Sequence, residues 1–452
     1  MKKVRLGAGT GWARDRFTHT ADLIANGNID YLCFETMSEI TMSATQVKNF
    51  GKADARRFDP YLEARLAPIL KDCQAKGITI ISNQGWMDPQ GAARRLAEVA
   101  REQGLSGLKI AAVYNSKDIE QAVRERDIEF PGTGKRLSTL GNEVISAEVY
   151  FGADGIVEAL KNGADVVLTT RIVDSALYLG PLAYEFGWDL DDPRLAAKGS
   201  TIGHLLECGV QATGGYYGDP GYKPVPDPAR VGVPIVEVTE EYVHITKTPT
   251  SGGLVTPDTL IEQMLYEITD PKEYILPNVI VDFTDIKFEQ VAKDVVAVTG
   301  FKGRQKPEKL KVLVGFKEGF MTEEYVIWAG PGALSRAELA KDILRERFEI
   351  IGFKPKEFRW DYVGRDACLR EATPDYAKQP EPWEVVLRLA AKDDSQEMCQ
   401  LLGKEIDTIC MCGAASTGKY GPMSNRTRPV IGMLSGLIDR DAVAETVGYY
   451  EV

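Results

Sequence analysis

Short apolar runs, each closed by a polar or glycine residue and each followed by a stretch with helical spacing, recur through the first half of the chain. Residues 4–6, 31–34, 78–81, 108–113, 144–150 and 166–170 read as buried strands, because continuous apolar runs bounded by turn residues suit strands covered on both faces. Residues 18–25, 61–76, 92–103 and 156–161 carry the helical period between them. Strands alternating with helices of this length predict crossover connections and an α/β fold with a mostly parallel sheet flanked by helices. The carboxyl ends of parallel strands share one edge, so Gly9, Glu35, Asn83, Asn115 and Arg171 are expected near one another, where open α/β sheets bind ligands.

The pattern changes after a proline-dense connector over 219–234. Residues 234–238, 243–246, 279–283, 295–299, 310–315 and 325–329 read as short strands separated by turns, with helices over 258–267 and 335–347, a mixed α+β region. The remainder reads as a small α+β segment, with strands over 358–363, 383–389 and 406–411 and a short helix over 395–402. Three domains follow from this reading, 1–230, 231–350 and 351–452, the last assigned to assembly. A polar, glycine-containing loop from Gly413 to Pro429 must be held by something, a neighbouring subunit or the edge of a site.

The formal net charge of −12 argues against nucleic acid and against an anionic membrane surface, since both select for clustered Lys and Arg. No apolar run approaches the ~18 residues that span a bilayer, and the N-terminus has no apolar leader, so a cytoplasmic protein is expected. Seven cysteines at irregular spacing do not form a disulfide framework. Only Cys399, Cys410 and Cys412 cluster, and with three histidines in the chain no metal site is expected.

Candidate chemistry gathers between Ala164 and Tyr222. Arg171 ends a strand, and Asp174 and Ser175 stand at the strand-to-helix junction that follows. They either serve only as an ion pair and a helix cap or face a ligand. His204 and Cys208 are four apart on one helix face, either a packed pair or a thiolate nucleophile with its base. Glu207 lies between them, and Gly214 and Gly215 follow with backbone free to approach a ligand.

Two other glycine-rich stretches invite an anion. Gly7-x-Gly9-x-Gly11 follows the first strand, but Trp12 stands where a dinucleotide fingerprint needs glycine, so backbone N–H groups at Gly9 and Gly11 facing an anionic substrate fit better than nicotinamide binding. Thr250-Ser251-Gly252-Gly253 before a helix is a second cradle without the lysine of a P-loop. Thr256 and Pro257 alone would be explained as a cap and a first helical residue.

The runs RLGAGTGWARDR, DYLCFETMSE, RIVDSALYLGPLAYEFGW, GHLLECGVQATGGYYGDPGYKPVPD, TSGGLVTPDTLIEQMLYEITDPKEYILPNVIVDF and LKVLVGFKEGFMTE together resemble the AtuA family, named for acyclic terpene utilisation, over Val4 to Arg347. The resemblance implies catabolism of acyclic terpenoids such as citronellol and geraniol, whose intermediates are branched acids and their CoA esters. Relatives also accompany methylaspartate-type amino acid fermentation. Many members carry, or are encoded beside, a small ferredoxin-fold module. Nothing after Arg347 reads as that module, so a separate small subunit is expected beside a homo-oligomer.

Site and resemblance together give a hydratase or dehydratase, a lyase acting without a cofactor on a branched-chain carboxylic acid of the mesaconate or citramalate type, or on a terpenoid-derived acyl-CoA. Arg171 would anchor the carboxylate, with Asn83 and Ser175 beside it. Glu35 or Asp174 would be the base, and N–H groups at Gly214-Gly215 or Ser251-Gly252 would hold the enolate oxygen. Two alternatives stand: acyl or CoA transfer or thioester hydrolysis through Cys208 or Ser251, and a non-catalytic scaffold or binding subunit of a two-component enzyme.

Overall fold

Every residue of Tyr31–Phe34 is buried, as it must be in a strand whose sheet is covered on both faces. In the computed structural model, which describes residues 1–52, 55–375, 380–419 and 427–452, this strand is β2, hydrogen-bonded in parallel to β1 (Lys3–Thr10) and β3 (Thr79–Ser82). Next in the chain come β4 (Lys109–Asn115), β5 (Val144–Val149) and β6 (Val166–Thr169). The parallel core has the order β1-β2-β3-β6-β4, with β6 returning to lie between β3 and β4. Antiparallel strands widen it beyond β1: β7 (Pro234–Thr239), β8 (Val243–Lys247), β9 (Lys287–Ala292) and β10 (Val295–Thr299), in the order β9-β10-β8-β7. The C-terminal strand, Glu445–Glu451, closes the other edge against β4. The chain is an α/β protein, as its pattern predicts.

Two compact units divide the molecule. The first consists of Met1–Thr45, Lys52–Val314 and Met433–Val452, the second of Gln46–Gly51 and Gly315–Gly432. β7 and β8, which open the second region in the sequence reading, extend the sheet that holds β1, because Ile235 and Val236 of β7 pair with Gly7 and Leu6 of β1. The core of this unit runs through Leu6, Leu32, Phe34, Ile80, Val113, Val167 and Leu177.

The second unit is built on β11 (Lys309–Ala329) from Gly315 onward, β12 (Glu357–Val363), β13 (Glu384–Asp393) and β14 (Arg428–Asp439) as far as Gly432. Helix Ala333–Ile351 lies in the chain between β11 and β12, and helix Gln396–Cys412 between β13 and β14. The chain order strand-helix-strand-strand-helix-strand, with spatial order β12-β13-β11-β14, is the ferredoxin-like arrangement. The expectation that no such module follows Arg347 is thereby corrected. Two misread elements hid it. β11 is one strand of 21 residues rather than two short ones, and 406–411 is helix rather than strand. Leu402, Ile406 and Ile409 recur at helical spacing and are buried, and Ser395 starts the helix by accepting the Met398 N–H at 3.1 Å.

Other departures have equally local causes. The helix expected over 61–76 is broken into Leu62–Leu66 and Leu70–Lys76 around Pro68, which has no N–H to give. β5 pairs with β11 instead of joining the parallel sheet, because both edges of β4 are taken by β6 and the C-terminal strand. That last strand, ETVGYYE, is too polar to announce itself. Residues 420–426, in the loop singled out between Gly413 and Pro429, lie outside the described residues. No helix among the described residues is long and apolar enough to cross a membrane.

Candidate functional site

β2 delivers Glu35 to the carboxyl edge of the sheet, and its neighbours fix it there. Thr10 Oγ1 donates to the Glu35 carbonyl. Met37 N–H donates to Glu35 Oε1 at 2.8 Å, and Asn83 Nδ2, from the end of β3, donates to the same oxygen at 3.3 Å. Asn83 Oδ1 in turn accepts the Thr36 N–H at 2.7 Å. Burial, reinforced by the nearby Asp174 carboxylate, pushes the Glu35 carboxyl well above its ordinary pKa, and the Arg171 charge offsets this only in part.

Arg171 follows β6. Its guanidinium is buried, donates through Nη1 to the Ile172 carbonyl at 2.7 Å and to Asp174, and lies 4.0 Å from the centre of the Tyr150 ring. Lys311 covers the same ring at 4.4 Å and bonds Glu39 at 2.9 Å, and the Tyr150 hydroxyl also donates to Glu39. Arg171 Nε has no partner among the described residues. Arg171 therefore stands behind Asp174 and holds it, while the Asp174 side chain remains 28% exposed. Neither Asp174 nor Ser175 caps helix Ala176–Phe186; the Ser175 hydroxyl is buried with no partner among the described residues, and the residue packs against Gly203.

Helix Pro193–Glu207 begins on the Asp192 cap and Pro193 and ends at the same edge. His204 Nε2 is 3.0 Å from the Met264 carbonyl, which fixes a proton on that nitrogen, and Nδ1 is 2.9 Å from Glu207 Oε1. One proton is thus shared between His204 Nδ1 and Glu207. Burial alone would lower the histidine's pKa, but the Glu207 hydrogen bond and charge raise it. Burial pushes Glu207 up to about 7, against the pull of His204 and with the repulsion of Asp174 and Glu267.

Glu35, Asp174 and Glu207 open onto one cleft of about 670 Å³. Its lining includes five carboxyls, from Asp15, Glu35, Asp174, Glu207 and Glu267, with Trp12, Ile40, Tyr216 and Tyr266 toward the rim and no Lys or Arg among the described residues. Gly11 also borders it; a Cβ there would stand 2.3 Å from the Cys208 backbone, and its N–H donates to Asp15 at 3.1 Å. Cys208 lines the cleft too, its thiol pushed up by burial and bonded by Gln263 rather than by His204.

The structure brings Gly11, Glu35, Asp174, Cys208 and Gly215 to this cleft, with Asn83, Arg171 and His204 in its supporting shell. Gly9 packs against the Phe34 ring. The N–H groups of Gly214 and Gly215 are used by the Gln211 and Val210 carbonyls at 3.3 and 2.7 Å. Ser251, Gly252 and Gly253 are elsewhere: their N–H groups go to the carbonyls of Thr248, Arg230 and Pro226, and Ser251 borders a separate recess beside His19 and Thr248. Glu207 was legible as the residue three after His204, whereas Tyr150, Glu39 and Lys311 converge from distant segments and left no local signal. Among the described residues no group of three or more His, Cys, Asp or Glu is arranged to hold a metal ion.

Fold and site define an α/β protein with a carboxyl-lined cleft at the strand ends of its principal sheet and a ferredoxin-like second unit. Residues 4–449 match the model of the family described as acyclic terpene utilisation family protein AtuA, and the chain belongs to that family. The match extends well past Arg347, through the second unit. Neither the curated proteins nor the solved structures contain a match to the chain.

Proposed function

We propose that the cleft carries out proton-transfer chemistry on an acyl group, the hydration or dehydration of a lyase. The observation that carries this reading is the pair of buried carboxyls, Glu35 and Glu207, both raised in pKa and both facing one cleft. General acid–base catalysis works best with groups that titrate near the working pH. In the dehydration direction Glu207, as carboxylate, takes the proton next to the acyl carbonyl. That electron pair forms the new C=C bond, and Glu35 gives its proton to the departing hydroxyl, which leaves as water. His204 steadies the charge on Glu207, and Asn83 holds Glu35 in place.

The acidic lining bears on the substrate. Five carboxyls and no lining cation among the described residues favour a neutral acyl group, an ester or thioester, over a free dicarboxylate of the mesaconate type, whose charge would be repelled there. Acyl transfer through Cys208 is less favoured, because a thiol raised by burial and lacking the histidine is a poor nucleophile. Incubating the full chain with 3-hydroxyacyl and enoyl thioesters, and following the absorbance of the conjugated product, tests the proposal. Turnover that falls about 10²–10⁴-fold in Glu35→Gln and Glu207→Gln is expected; turnover indifferent to both substitutions contradicts it.

A further inference from the structure

Asp15, Val210 and Gly215 form one side of the cleft. The same three residues line a second cavity of about 400 Å³, whose other walls include Arg16, His19, Val225, Pro228 and Val231. His19 also borders a recess of about 270 Å³ beside Asp22 and Thr248. Only 8% of His19 is exposed, yet neither ring nitrogen has a hydrogen-bond partner among the described residues. Buried polar groups in native proteins are nearly always paired, so an imidazole in this position marks a place for a ligand.

The neighbouring charges are only partly committed: Arg65 Nε and Nη1 are buried with no hydrogen-bond partner among the described residues. Asp15 accepts the N–H groups of Gly11 and Arg16 at 3.1 and 2.7 Å, and Arg16 Nη1 donates to the Ala229 carbonyl at 2.9 Å. Arg65 donates to the carbonyls of Ala13 and Asp15 at 3.0 and 3.3 Å. Burial, with help from Arg16 and Arg65 and against Asp15, lowers the His19 pKa and keeps the ring neutral at pH 7. A neutral imidazole presents one donor and one acceptor. A carboxylate only accepts and an ammonium only donates, whereas a secondary amide does both. The valine and proline walls suit the methylene groups on either side of such an amide.

We infer that the second cavity takes the arm of the cleft's substrate and that His19 binds a secondary amide in it, making the substrate an acyl thioester of an amide-bearing thiol rather than a free acid. This rests on the proposed acyl chemistry for what lies in the first cleft, but amide binding is measurable without turnover. Pantetheine, a thiol with two secondary amides, is titrated calorimetrically into the full-length wild-type protein, His19→Phe and His19→Ala, with melting temperatures recorded alongside. Saturable binding by the wild type, weakened at least tenfold in whichever variant remains folded, is the expected result. Absence of binding by the wild type, or equal affinity in a folded variant, overturns the inference. Pantetheine binding with no hydration or dehydration of any thioester leaves this inference standing and removes the proposed function; turnover without pantetheine binding does the reverse.

Discussion

Two stretches look alike in the sequence, each setting polar side chains beside paired glycines: Asp174 to Gly215, and Thr250 to Gly253. The first borders a cleft lined by five carboxyls. The second spends its N–H groups on backbone carbonyls, and its Ser251 hydroxyl on Thr248 at 2.9 Å. Gly253 has φ +82°, and a Cβ there would meet the Thr213 carbonyl oxygen at 2.5 Å, so glycine serves chain path rather than ligand approach. The difference teaches that paired glycines do not make an anion cradle. What distinguishes the first stretch is buried, protonatable side chains arriving from separate elements: Glu35 from β2, Asp174 after β6, and Glu207 from a helix end.

Neutralising one member of each stretch separates their roles. Glu207→Gln should lower kcat by about 10²–10⁴, while Ser251→Ala should leave kcat unchanged and cost only about 0.5–1.5 kcal/mol of stability for its lost hydrogen bond; steady-state kinetics and chemical denaturation separate the two. Arg171→Ala strands Asp174 beside a buried void. A loss of about 2–4 kcal/mol is expected, toward the lower part of the range for broken buried pairs because Asp174 is partly exposed. Normal stability with lost substrate affinity would instead make Arg171 a direct substrate anchor. Gly253→Ala should cost about 1–3 kcal/mol from strained backbone alone, and the folded fraction should retain full turnover per molecule.

The smallest effect is a pH slope. Glu207 titrates at about 7 in the folded chain against 4.5 for an ordinary glutamate. The native state therefore keeps a proton that the unfolded state releases, and this contribution to stability is lost as pH rises from about 4.5 through 7. Denaturation midpoints measured across that window should fall in the wild type and fall less in Glu207→Gln. Equal slopes would mean that Glu207 ionises like a surface carboxyl.

The sheet edge is legible in the sequence because each parallel strand is an apolar run closed by a polar residue, which places Glu35, Asn83 and Arg171 together. Their roles were not legible. A sequence does not say that Arg171 turns its charge toward Asp174 and Tyr150, or that His204 gives both nitrogens to Glu207 and Met264. The ferredoxin-like unit escaped for a related reason. Its four strands are spread over Lys309 to Asp439, and the helical spacing of Leu402, Ile406 and Ile409 is hidden in a run that is apolar enough to read as strand. His19 gave no sign, since a lone histidine at the start of a helix carries no information about what surrounds it.

Whether Glu35 and Glu207 hold protons near neutral pH can be read from the carboxyls themselves. Infrared or ¹³C NMR titration of protein labelled at glutamate side chains should show, beside the buried Glu148 and Glu445 that are also raised, a carboxyl titrating near 7 that vanishes in Glu207→Gln and one well above the ordinary range that vanishes in Glu35→Gln. A titration in which the signals assigned by these substitutions ionise at ordinary carboxylate values would contradict the account.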